Sequence, residues 1–292
     1  MNVHADWRHV LRTILADAVL VVVGIVFYFG IRGLTVGSPE TALANAHDVL
    51  RLEEQLRLDV EREVQVIFGV EGPLITLANW VYIWGHWPVI VATLVWLALH
   101  NRTVFRRLRN AMLVSGGLGL CVYTTYPVAP PRLAGIGLVD TITEQSHSYR
   151  VLQPPAFVNP FAAMPSLHVG WNLVVGLAIA AAAGTVVMRT LGRLMPVAMA
   201  MATVITANHY LLDVLAGALL GLVGWTVALQ LEKRYDPRRE APPAGTVLVP
   251  APRDPDRPGV EAPPPAVHPP APRSPRESGD GADAWPCRQG RR

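Results

Sequence analysis

His209 and Asp213 stand four residues apart, a spacing that puts both side chains on one face of a helix. There the carboxylate can accept a hydrogen bond from one imidazole nitrogen. That fixes the tautomer and leaves the other nitrogen free as a nucleophile or base. Further upstream, Pro165 and Ser166 read as a helix start, with His168 in the same first turn. Free N–H groups and the positive end of a helix dipole favour a bound phosphate, and the Ser166 hydroxyl adds a donor. A protonated His168 can donate to a leaving oxygen. Arg132 ends the proline-stiffened run Tyr126-Pro127-Val128-Ala129-Pro130-Pro131-Arg132 and offers a planar fork suited to phosphate oxygens. Each residue alone has a plain structural reading: a capping or packing histidine, a helix start, an interfacial arginine. Their conjunction describes phosphoryl chemistry.

The elements that must hold these residues are membrane spans. The chain has 292 residues, 51% hydrophobic and 16% charged, with a mean hydropathy of +0.31. Soluble domains carry about 25% charged residues, so an ordinary cytosolic enzyme is excluded. Seventeen of the 47 charged residues and 15 of the 26 prolines lie in the last 57 positions. Residues 1–235 therefore read as a membrane-embedded domain, and 236–292 as a disordered, proline-rich cytoplasmic tail. The net charge of +3 is no nucleic-acid patch, because nine basic and eight acidic residues share the tail. Cys121 and Cys287 sit in unlike surroundings and form neither a disulfide nor a metal pair.

Six apolar segments approach the roughly 20 residues needed to cross a bilayer: 12–32, 72–99, 110–126, 169–188, 194–208 and 214–231. The first is long for a signal peptide and is read as a retained anchor. With both termini inside, twelve Arg and Lys flank the spans on the cytoplasmic side against six outside, which predicts N-in, C-in topology. All three polar motifs then fall on the outer face, although charge counting made no use of them. The fifth segment, at 15 residues or roughly 22 Å, predicts a His209 recessed near headgroup depth. Between the first two spans, Ser38 and Pro39 read as a helix start, and Gly69 as its end. Val49, Leu52, Leu56, Val60, Val64 and Ile67 recur between them at spacings of three and four. A helix lying on the outer surface and a solvated connector both fit, and neither carries chemistry.

These motifs resemble the type 2 phosphatidic acid phosphatase superfamily, which shares a helical core with vanadium haloperoxidases. Pro165, Ser166 and His168 match its Pro-Ser-Gly-His motif, with Leu167 in place of glycine. His209 and Asp213 match its His-x-x-x-Asp, and Arg132 is the arginine of its first motif. By that resemblance His209 attacks phosphorus to give a phosphohistidine, Asp213 orients it and His168 protonates the leaving group. Ser166 and Arg132 hold the phosphoryl oxygens, with no metal or other cofactor. Two cationic ligands of the pattern are replaced: the motif-one lysine by Thr125, and the Ser-Arg before the motif-three histidine by Ala202 and Thr203. The forms Ala-Pro-Pro-Arg, Met-Pro-Ser-Leu-His and His-Tyr-x-x-Asp are similar to the inositolphosphotransferase branch, related to inositol phosphorylceramide synthases. Tyr82 and His86, one helical turn apart, are also similar to that branch and join Tyr126 as candidates for the substrate pocket. Core packing among Trp80, Trp84 and Trp87 explains Tyr82 and His86 equally well.

The expectation is an all-α, six-span enzyme of the cell membrane that cleaves or transfers a phosphoryl-containing group on a lipid at the outer face. Water as acceptor makes it a lipid phosphatase. An alcohol such as the polyol inositol or a glycan hydroxyl makes it a phosphotransferase, and an inositol phosphotransferase would transfer a phospho-alcohol head group between lipids. The non-enzymatic alternative is a lipid-binding or transport protein, which paired repeats and broken helices would favour.

Overall fold

Long apolar runs broken by glycine, proline and polar caps give helices and little else. The computed structural model describes residues 3–34, 37–145 and 159–234, and the tail at 236–292 lies outside them. The described chain forms α1 (Val3–Leu34), α2 (Pro39–Leu56), α3 (Glu61–Phe68), α4 (Pro73–Trp84) and α5 (Trp87–His100). It continues through α6 (Arg102–Thr125), α7 (Thr141–Gln145), α8 (Leu167–Ala182), α9 (Val186–Ile205) and α10 (Leu211–Arg234). One 3-10 turn, Pro131–Leu133, carries Arg132. The fold is all-α.

By length and composition, α1 (over Leu15–Gly33) and α10 are able to cross a membrane, as is the α4–α5 pair if its two bent halves form one span. Large apolar side chains on the outside of these helices, such as Val22, Val26 and Phe27, are exposed, as lipid-facing residues are. Helix α8 lies against α6, α9 and α10, and α10 runs along α6. Two backbones meet closely where glycine permits it. A Cβ on Gly217 would lie 2.1 Å from the Ser166 carbonyl oxygen, and one on Gly170 would lie 2.5 Å from that of Gly217.

Three predicted segments are cut differently. The run 72–99 is two helices bent by 46°, because Pro88 cannot continue a helix through Trp84 and Gly85 and His86 take up the break. Tyr82 therefore lies in the last turn of one helix while His86 caps the next. The fourth segment stops at Ala182, and residues 186–188 open α9 with Thr185 as N-cap. Helix α9 thus has 20 residues and a length of about 30 Å, which removes the shortness that predicted a recessed His209. Its first turns carry Arg189 and Arg193, which the apolar count had left out.

The segment between α1 and α4 begins and ends as predicted: Ser38 Oγ accepts the Thr41 N–H at 3.2 Å, and Gly69 caps α3 with φ 75°. It is not one helix, however. Arg57 adopts the left-handed conformation (φ 56°) and closes α2. Ala42, Ala46, Val49 and Glu53 face the body of the protein, whereas Leu52, Leu56 and Ile67 face outward.

At the end of α6 remote from the motifs, Asp17 is paired with Arg102 (2.7 Å), Arg106 (3.4 Å) and Arg109. Arg107 meets Glu232 through two hydrogen bonds of 2.8 and 3.0 Å. This basic end and the polar motifs lie at opposite ends of α6, a helix of 24 residues and about 36 Å.

Candidate active site

The three motifs are tied together by backbone hydrogen bonds. The Ser166 N–H donates to the Asp213 carbonyl (3.0 Å), and the Arg132 N–H donates to the Ala207 carbonyl (3.0 Å). The Val128 N–H donates to Phe161 (2.8 Å), and the Ala163 N–H returns to Val128 (3.2 Å). Two phenols add to this frame. Tyr123 donates to the Pro165 carbonyl (2.6 Å), and Tyr210 to that of Ala129 (3.0 Å). Burial, then the nearby carboxylates of Asp213, Glu53 and Glu61, pushes the Tyr210 hydroxyl above the usual phenol range, so it remains a donor.

Inside this frame His209 Nδ1 lies 3.4 Å from Asp213 Oδ2, and the same oxygen accepts the Tyr210 N–H at 3.0 Å. With Nδ1 directed at the carboxylate, Nε2 is the nitrogen left for the cavity that His209 lines. Asp213 is fully buried behind it. The His168 and His209 rings have centroids 5.7 Å apart. His168 is stacked on Tyr82 (4.4 Å) and tilted against His86 (4.2 Å), and its Nε2 is buried with no hydrogen-bond partner among the described residues. The Asn172 amide donates to His86 Nδ1 (3.2 Å) and to the backbone carbonyl of His168 (2.8 Å), so it ties the His86 ring to the first turns of α8. His86 thereby has the partner that its burial requires.

Arg132 reaches the same cavity with its guanidinium fixed on two sides. Nη1 donates to Asn208 Oδ1 at 2.7 Å, and Nε is paired with Asp140 Oδ2 at 3.0 Å. Of the candidates read from the sequence, His168, His209, Arg132, Tyr82 and His86 line the cavity. Asp213 and Ser166 stand behind the wall. The Ser166 hydroxyl oxygen accepts the Val169 N–H at 3.4 Å as the N-cap of α8, and the residue is fully buried. Tyr126 is elsewhere: it packs with Ala42, Val49 and Val128 under α2 and does not line the cavity.

The cavity also contains residues that the motifs did not announce. Tyr28 and Arg32 come from the C-terminal end of α1, Asn208 precedes His209, and Trp87 and Trp171 form one side. Arg32 Nη1 donates to the Tyr28 hydroxyl at 3.3 Å. The two cationic ligands missing from the motifs have no counterpart at their own positions: Thr125 is exposed, while Ala202 and Thr203 are buried within α9. The cavity obtains its second arginine from α1 instead. The only sequence signal was an arginine closing an apolar run.

A family model described as PAP2 superfamily matches residues 47–227, from within α2 to within α10. No curated protein and no solved structure matches the chain. That family match spans more than half of the sequence and encloses all three motifs, so the chain belongs to the PAP2 superfamily, a membership that supports an enzyme of phosphatase or phosphotransferase type acting on lipid phosphate.

Proposed function

We propose that this chain is a six-span membrane enzyme that removes or transfers a phosphoryl-containing group of a lipid at the outer face. His209 is the nucleophile of this reaction. The observation that carries the reading is the pair His168 and His209, facing each other at 5.7 Å in a cavity that Arg132 also lines.

The steps follow from the side chains. The Nε2 lone pair of His209 forms a bond to phosphorus as the bond to the leaving oxygen breaks, and His168 gives that oxygen a proton. Asp213, accepting from Nδ1, stabilises the cationic ring that results. Arg132 and Arg32 hold the non-bridging oxygens, while Ser166 acts from behind the wall by fixing the start of α8. In the second half the oxygen of water or of an alcohol bonds to phosphorus, the phosphorus–nitrogen bond breaks, and the acceptor's proton returns to His168. Water gives a phosphatase and an alcohol such as inositol gives a transferase.

A lipid substrate is supported by what adjoins the cavity. Tyr28, Trp87 and Trp171 line both the polar cavity and an apolar groove between α1, α5 and α6, so a headgroup and its chain find adjacent surfaces. The basic ends of α6, α9 and α10 lie away from the motifs, which supports the cytoplasmic assignment of those ends and of both termini.

The test uses purified full-length protein in detergent with a panel of lipid phosphates and inositol phospholipids. Free phosphate and new phospholipid are followed together, with and without inositol, beside His209→Ala. Phosphate release lost in the variant supports hydrolysis, and an inositol-dependent phosphodiester lost in the variant supports transfer. Equal inactivity of both proteins across the panel sinks the enzymatic reading in favour of lipid binding or transport.

A further inference from the structure

Glu53 of α2 and Glu61 of α3 are both buried, at 0% and 3% exposure, in a segment whose sequence announced no chemistry. Their carboxylates do not turn to water. Glu53 Oε1 accepts the Leu212 N–H at 2.7 Å, and Glu61 Oε1 accepts the Leu211 N–H at 2.8 Å. The preceding N–H, that of Tyr210, goes to Asp213 Oδ2. Three successive amides at the start of α10 are therefore each bound by a different carboxylate, immediately after His209. A straight helix would hold residues 53 and 61 about 12 Å apart. The left-handed turn at Arg57 is what lets both reach adjacent amides.

The amides cannot satisfy two full negative charges. Glu53 Oε2 is buried and has no hydrogen-bond partner among the described residues, while the Glu61 carboxyl, held on the adjacent amide, acts on Glu53 as a like charge. Two buried carboxylates held on adjacent amides repel each other, and a proton on one of them removes that repulsion and supplies a donor for the unsatisfied oxygen. The other groups acting on the pair are negative or neutral: Asp213 from α10, Asp59 beside Glu61, and the Tyr210 phenol, with His209 beyond Asp213.

We propose that Glu53 and Glu61 share one proton and, in that form, act as positioning residues that clamp the start of α10 and thereby the Asp213–His209 pair. This rests on the roles given above to His209 and Asp213. Burial and the neighbouring carboxylates raise both acids, Glu53 to about 8. The folded protein thus keeps a proton that the unfolded chain loses in the ordinary carboxylate range. Stability from this source is complete below about pH 4.5, the ordinary carboxyl value, and is lost as pH rises from there towards 8, by up to about tenfold in the folding equilibrium per pH unit. Ionisation of the second acid puts like charges at the α10 start, so turnover falls over the same alkaline limb.

The experiment compares full-length wild type, Glu53→Gln and Glu53→Ala in detergent. A glutamine keeps the acceptor for Leu212, donates an N–H towards Glu61 and does not titrate. Glu53→Gln should flatten the fall in melting temperature between pH 5 and 8 and move the alkaline limb of kcat upward. It should also rescue most of the rate lost in Glu53→Ala. Glu53→Ala should lower kcat roughly ten- to a hundredfold, the scale of a small misplacement of a reacting group, with KM little changed. Amide exchange over residues 208–214, which needs no turnover, should be faster in Glu53→Ala and near wild type in Glu53→Gln. A melting curve of Glu53→Gln that superimposes on wild type at every pH overturns the shared proton. Wild-type exchange in Glu53→Ala overturns the clamp. Absence of turnover in wild type bears instead on the proposed reaction, since melting and exchange still decide these two points.

Discussion

The backbone N–H of Ser166 donates to the carbonyl oxygen of Asp213 at 3.0 Å, joining the start of α8 to the first turn of α10. His168 and His209 extend from these two starts, so their separation is set by backbone rather than by the rotamers of flexible side chains. Gly217 is the condition for this contact, because any Cβ there would strike the Ser166 carbonyl.

Gly217→Ala should therefore separate α8 from α10, costing about 1–3 kcal/mol of stability as overpacking does, and should reduce turnover as well. Gly30→Ala is the control, since a Cβ at Gly30 meets nothing within 4 Å. Thermal unfolding in detergent with a parallel activity assay distinguishes them, and equal melting temperatures for both variants would contradict the close contact.

Asp213→Asn should lower the rate by about 10²–10⁴-fold, because the amide can present a donor to Nδ1 and favour the wrong tautomer. His209→Ala should in addition leave no acid-labile phosphoprotein after brief incubation with radiolabelled lipid phosphate. Labelling that persists in His209→Ala would assign the nucleophile elsewhere.

Arg32→Met should reduce kcat/KM by about 10²-fold, the order expected for removing one fixed charge from phosphoryl oxygens. Arg32→Lys should recover part of it. Wild-type efficiency in Arg32→Met would exclude Arg32 from phosphate binding and leave Arg132 as the arginine that does so.

Asp17→Asn leaves three arginines facing one another at the other end of α6. A loss of about 1–3 kcal/mol is expected, less than for a fully buried pair because Arg102 and Arg106 are partly exposed. Lipid turnover at saturating substrate should be retained in this variant. A melting temperature equal to wild type would show that the pairs contribute nothing.

The candidate site residues were legible because the proposed chemistry needs fixed spacings: Pro165, Ser166 and His168 within one turn, His209 and Asp213 one turn apart. Helix starts were legible where a single cap decides them, as at Ser38. Arg32 and the close approach of His86 to His168 were not, because both depend on which helices meet, and no spacing along the chain encodes that. Glu53 and Glu61 were hidden for a different reason. A charged residue in a polar segment normally faces water, and only the turn at Arg57 brings these two to the α10 amides. The break at Gly85 and His86 could have been read from Pro88, which the continuous apolar run concealed.

Tyr28, Trp87 and Trp171 form a wall common to the polar cavity and the apolar groove. A substrate that uses both sides of this wall meets the enzyme by sliding within the bilayer, without crossing water. The concentration that governs its turnover is then a mole fraction in the membrane plane. Diluting the lipid with inert detergent at constant bulk concentration should slow the reaction in proportion, so that rates are comparable only at equal surface composition.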